Sequence, residues 1–225
     1  MRTVNFKSFF ETMYLPSIGK DPLDFTVGTA AGNRQVGYVN DALVEAGHYA
    51  FWPELLVIEE RTLNDDNVLP WSATGKTDID AIEGIFATEA EAIARKGHLW
   101  FEQGPAGYRV FDRSGTVWAR LRPYPPVFSR TAYAAGTTYS VDDLCYTATL
   151  GKSWISVDDD NTGNDPESDD GSYWEEVVLP AEFVPYLKAR AGSAHLFDER
   201  KFDAAGLKES KANTILFKLK KSKGL

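Results

Sequence analysis

Apolar residues recur at helical spacing at both ends of this 225-residue chain and at strand spacing through its middle, and that change of period is the strongest constraint on its fold. Phe6, Phe9, Phe10 and Met13 share one side of a helix over residues 5–14, which Pro16 and Gly19 close. A second helix is expected over residues 29–51, with Val36, Val39, Leu43, Ala46 and Ala50 as its stripe. Gly32 and Gly37 each lower its propensity by about 1 kcal/mol relative to alanine, so packing must hold it. Pro53 cannot donate inside a helix and biases Trp52 towards extended backbone, so the helix should stop at those aromatics. The helical period returns over residues 181–196, through Phe183, Leu187, Ala191 and Ala194. It continues over 198–222, through Phe202, Ala205, Ala212, Leu216 and Leu219, with Asp198 as the expected N-cap.

Between these ends the pattern is that of strands. Leu55, Val57 and Glu59 alternate with Leu56, Ile58 and Glu60, as in a strand buried on both faces at first and reaching solvent at its charged end. Residues 63–78 read as a loop. DAIEGIFAT, HLWFEQ, YRVFDR and VWARLRP then read as short strands joined by GPAG and RSG turns, with a helical turn over residues 89–96. PYPPVF cannot enter a central strand and forms a stiff exit. Residues 131–179 change composition towards Tyr, Thr, Ser, Asp and Gly, as an inserted module would.

Neither helix pair can bury its stripe alone. The expected fold is therefore α+β, a four-helix bundle core of two N-terminal and two C-terminal helices, with Phe51 and Trp52 sealing its end. Residues 1–54 and 180–225 would form the bundle, 55–130 a β-rich extension and 131–179 a small all-β insertion.

Charge and motifs narrow the function. A net charge of −9 argues against wholesale wrapping of nucleic acid. It is unevenly spread: residues 158–170 are strongly acidic and 211–223 basic. No apolar run approaches the ~18 residues that cross a bilayer, so no membrane partner is expected. The single cysteine, Cys145, excludes an internal disulfide and reads as a small buried hydrophobe. His48, His98 and His195 lie in separate segments without an HExxH pattern and read as packing or surface residues. ATGKT at 73–77 lacks the earlier glycine of a phosphate loop, and no Gly-x-Ser-x-Gly occurs. DDDNTGNDPESDDG echoes a calcium loop, but Asp169 stands where the bidentate glutamate belongs. The chain is therefore expected to be no enzyme and to need no cofactor, catalytic residue or metal.

Two stretches carry resemblances. YVNDALVEAGHYAFWPELLVIEERT, through Tyr38, Asn40, Trp52, Pro53, Glu54, Leu55, Glu60 and Arg61, resembles the N-terminal region of head-to-tail connector (adaptor) proteins of tailed bacteriophages. VWARLRPYPPVFS resembles a segment that precedes their closing helices. The resemblance implies a virion protein of the neck, assembled in the host cytoplasm. It would form a cyclic, typically dodecameric ring that docks under the portal, meets a downstream tail or stopper protein and touches genomic DNA transiently during packaging and ejection. Lys218, Lys220, Lys221 and Lys223 are the candidate portal-docking residues. Residues 131–179, through Tyr133, Gly136, Tyr139, Tyr146, Trp154, Pro166 and Trp174, resemble small chitin- and cellulose-type carbohydrate-binding modules. That makes Tyr146, Trp154 and Trp174 candidate sugar-stacking residues, and a carbohydrate-binding decoration protein of the virion the alternative function.

Overall fold

A computed structural model describes residues 2–70, 79–125, 127–148 and 151–225; the ATGKT stretch lies outside the described residues. The chain opens with β1 (Thr3–Asn5), followed by α1 (Phe6–Ser8), a π-helical stretch (Phe9–Tyr14) and α2 (Leu15–Ser17) in unbroken succession. α3 is Ala30–Tyr49. Then come β2 (Val57–Thr62), β3 (Val68–Pro70), β4 (Ile79–Phe86), α4 (Glu89–Ala94), β5 (Phe101–Gly104), β6 (Gly107–Val110) and β7 (Thr116–Pro123). Six short strands follow: β8 (Thr138–Tyr139), β9 (Leu144–Thr147), β10 (Lys152–Ser156), β11 (Asn161–Thr162), β12 (Trp174–Glu176) and β13 (Val178–Pro180). The chain closes with α5 (Val184–Asp198) and α6 (Phe202–Ser222). These elements form two compact units, Met1–Ala50 with Pro126–Leu225, and Phe51–Pro125.

In the first unit the expected four-helix bundle is not formed. The principal helix contacts all run through α5, against which α3, α6 and the π-helical stretch pack. Nor are the helices alone. β1 pairs antiparallel with β13, and the sheets β12-β10-β9 and β11-β8 belong to the same unit. Two causes separate this mixed α/β arrangement from a bundle. The N-terminal helix is short and wound with a π turn, and α6 buries only Ala205, Ala212 and Leu216. The extra residue per π turn carries Tyr14, rather than the half-buried Met13, to the inner side with Phe9 and Phe10.

α3 begins and ends where its sequence dictates. Thr29 accepts the Gly32 N–H at 3.0 Å as N-cap, and the helix stops before Trp52-Pro53. Its glycines are packing sites. A Cβ at Gly32 would stand 2.0 Å from the Thr26 carbonyl oxygen, and one at Gly37 would stand 2.8 Å from an Arg130 guanidinium nitrogen. Asn40 clamps the returning chain. Its Nδ2 donates to the Phe128 carbonyl at 2.8 Å and its Oδ1 accepts the Phe128 N–H at 2.9 Å. Phe128 then meets Phe6 edge-on, ring centroids 4.9 Å apart. α6 departs from expectation at its start. Asp198 closes α5, Arg200 turns the chain at φ +59°, and Lys201 precedes α6 without a side-chain cap.

The second unit contains the sheets β2-β7-β4 and β3-β6-β5. They enclose Leu69, Ile82, Ile85, Val110, Val117 and Leu121. Contrary to the expectation of a strand buried on both faces, β2 is an edge strand with Val57 exposed. Phe51 does not seal a helix bundle. The Arg122 guanidinium lies 4.8 Å from its ring centroid within the β unit. Trp52 is fully buried. Thr88 and Glu91 close a reciprocal capping box on α4, and the buried Arg120 pairs with Glu83 while donating to the Ala92 carbonyl at 3.1 Å.

Replacing Asn40 by alanine orphans both backbone groups of Phe128, a residue only 1% exposed. Asn40→Ala is expected to destabilise the helical unit by about 2–3 kcal/mol, read as a lower denaturation midpoint, with far-UV dichroism of the folded state preserved.

Candidate functional site

Sequence-predicted site residues are dispersed. Lys218 and Lys221 are exposed on α6, but Lys220 and Lys223 are engaged on their own chain. The ammonium of Lys220 lies 5.4 Å from the Tyr49 ring centroid, and that of Lys223 is 2.7 Å from Glu182 Oε2. Trp174 is 2% exposed, sits against Tyr139 and Tyr133, and donates its indole N–H to the Asn164 carbonyl at 2.8 Å. Trp154 is 9% exposed and donates to Thr147 Oγ1 at 3.1 Å. The Tyr146 hydroxyl donates to the Val27 carbonyl at 2.8 Å and ties the module to the loop ahead of α3. These rings build the interior of the small module and its seam, which is what an interior this small demands of its few large side chains.

The acidic loop is organised by its own carboxylates. Asp169 Oδ2 accepts the N–H groups of Gly171, Tyr173 and Trp174, at 2.9, 3.2 and 3.0 Å. Among the described residues no group of three His, Cys, Asp or Glu side chains is arranged to hold a metal. No helix among them is long and apolar enough to cross a membrane. Cys145 is fully buried, and burial pushes its thiol up to about 12.

A polar cleft forms instead at the elbow between α5 and α6. It has a volume of about 400 Å³, and its charged lining includes Lys20, Arg34, Asp198 and Glu199. His195, on the last turn of α5, is 4% exposed. The Tyr14 hydroxyl donates to Gln35 Oε1 at 2.8 Å, which turns the Gln35 amide nitrogen towards His195 Nδ1 at 3.3 Å. An amide nitrogen only donates, so Nδ1 accepts and the ring proton resides on Nε2. That nitrogen lies 3.2 Å from Glu199 Oε1, yet forms no aligned hydrogen bond. Asp198 accepts from the Tyr38 hydroxyl and from Arg34 at 3.4 Å. Glu199 is held by Lys20 at 3.3 Å and Lys201 at 2.8 Å.

The chemistry of this cleft is fastening. Hydrogen bonds from Lys201 and Lys20, with His195 beside them, push the Glu199 carboxyl down to about 2. Burial lowers the His195 pKa; Glu199 opposes that shift, and Lys20, Lys201 and Lys208 reinforce it. Burial, then the hydrogen bond and charge of Asp198, push the Tyr38 hydroxyl up. A neutral imidazole is thus framed by mutually compensated ions that pin the end of α5 to α3 and to the segment after α2. The spacing of His195 and Glu199, four residues apart, was a signal in the sequence that the expectation of histidines without an i, i+4 partner missed. Gln35, 160 residues away from His195, was not readable there.

Comparison of the chain with known protein families, curated proteins and solved structures finds no match.

The sign of the pH dependence follows from these shifts. A histidine whose folded pKa lies below 6.5 binds protons more readily unfolded, so its contribution falls as pH drops below that value. Glu199 acts in a lower window, its contribution being lost as pH falls from 4.5 towards about 2. His195→Gln is expected to flatten the slope of unfolding free energy between about pH 7 and 5, leaving the acid limb below it. Denaturant melts of both proteins across that range provide the check.

Proposed function

We propose that this chain is a structural subunit that works by assembly: a head-to-tail adaptor that closes into a ring beneath the portal of a tailed-phage particle and prolongs the DNA channel towards the tail. The observation that carries the reading is the surface of α6. This 21-residue helix buries only Ala205, Ala212 and Leu216. Phe202 and Phe217 are 58% and 61% exposed and share one stripe at helical spacing. Phe197, also exposed, meets Phe202 at 5.1 Å between ring centroids. The exposed Phe197–Phe202 pair, with Phe217 further along the same helix, supports the reading of an interaction surface.

Other features support the same reading. Lys218 and Lys221 stand exposed on the same helix and suit an acidic face of the portal, while Lys220 and Lys223 hold its end to Tyr49 and Glu182. Tyr38 and Asn40, which carry the resemblance to connector proteins, occupy the joints of the helical unit, on Asp198 and Phe128. They set the frame from which α6 is presented. A chain of net charge −9 also suits a channel along which DNA must slide rather than stick.

Phe202→Asp combined with Phe217→Asp changes exposed side chains only, so stability is expected to move by no more than about 1 kcal/mol. Incorporation into particles is expected to fail, as measured by the amount of the chain in purified virions. Normal incorporation of the folded variant, or a particle map placing the chain on the capsid exterior or a distal fibre, overturns the proposal.

A further inference from the structure

A second charged hollow of the helical unit has a different character from the elbow cleft. Beside the first turns of α5 and the middle of α6 lies a groove of about 360 Å³, floored by Ala189 and Ile215 and ringed by Lys188, Lys208 and Lys211. Elsewhere in the chain Lys20, Lys152, Lys201 and Lys223 each pair with a glutamate. Among the described residues none of the three groove lysines does. In a sequence where 33 acidic residues outnumber 24 lysines and arginines, three ammonium groups gathered without a carboxylate run against the average.

The arrangement is built rather than loose. Lys188 and Lys208 are half-buried. Lys208 crosses α5 in the gap left by Gly192, where a Cβ would stand 2.8 Å from its Nζ, and it donates to the Ser17 carbonyl at 3.1 Å. Burial, then the charges of Lys211 and Lys188, lower the Lys208 pKa. An anion in the groove would offset the second cause, the mutual repulsion of the ammonium groups.

We propose that this groove is a binding site for a doubly charged phosphate group, as in inorganic phosphate, a polyphosphate or a phosphate monoester. Three ammonium groups supply donors to several oxygens of one tetrahedral anion and more than offset its two charges, whereas a carboxylate offers two oxygens and a single charge. A DNA backbone phosphate likewise carries only one. The inference stands apart from the adaptor reading, since it concerns the α5–α6 groove alone.

The test is a titration of the full chain with sodium pyrophosphate, at ionic strength held constant with sodium chloride and followed by the backbone amide resonances of Ala189, Lys211 and Ile215. Saturable shifts are expected. Lys188→Gln combined with Lys211→Gln should weaken binding by about tenfold or more, roughly 1.4 kcal/mol. Gly192→Ala keeps every charge but displaces Lys208, and should weaken it as well. Adenosine monophosphate should compete, and duplex DNA without terminal phosphates should not. No saturation, the same response to chloride alone, equal affinity in both variants, or displacement by that duplex overturns the proposal.

Discussion

Close approach to α5 is the constraint on which the helical unit rests. The helix buries Tyr186, Leu187, Ala189, Ala191, Gly192, Ser193 and His195, positions that run almost around its circumference. Small side chains at 189 and 191–193 let neighbours come near the backbone, and each neighbour uses that proximity for a polar contact. Ser193 Oγ donates to the Ala205 carbonyl of α6 at 2.8 Å, and Lys208 passes over Gly192 to reach Ser17. Arg190 reaches Glu45 of α3 at 2.6 Å and Glu209 of α6 at 3.4 Å. A helix enclosed this way acts as an axle for partners on several sides, a different solution from a bundle in which each helix buries one stripe.

That difference explains what could be read from the sequence and what could not. The end of α3 was legible because Trp52-Pro53 is a covalent instruction, and its start because Thr29 can cap it. The strands from Ile79 to Pro123 were legible from alternation and turn glycines. The centrality of α5 was not: alanine, glycine and serine carry little hydrophobic signal, so Phe183, Leu187, Ala191 and Ala194 looked like one stripe. Asp198 misled for a related reason. An aspartate ahead of a helical pattern resembles an N-cap, but here Tyr38 and Arg34 hold its carboxylate on α5, and the chain turns two residues later at Arg200. Burial of His195 likewise depends on partners distant in sequence, which periodicity cannot bring together.

The small module shows the same principle in a different composition. Tyr133, Tyr139, Trp154 and Trp174 are packed together with Cys145, so rings that resemble a sugar-binding pattern are consumed by the interior. The acidic stretch beside them is equally occupied. Asp169 gathers three backbone N–H groups, and Asp170 accepts from the Ser172 hydroxyl at 2.6 Å. A run of aspartates that reads as an acidic block is therefore also the hydrogen-bonding frame of its own loop.

Charge in the helical unit is consequently spent in two ways. At the end of α5 Asp198 meets Arg34 and Glu199 meets Lys20 and Lys201, and the outcome is that this end is tied to α3 and to the segment after α2. Along α6 itself little is compensated: Lys211, Lys218 and Lys221 are exposed, and Phe202, Leu207 and Phe217 are left to solvent. Rigid attachment combined with an unsatisfied surface is the condition under which a helix binds with little ordering cost, because its orientation is already set before the partner arrives. On the adaptor reading, the packing of α6 on α5 supplies direction and its bare face adhesion.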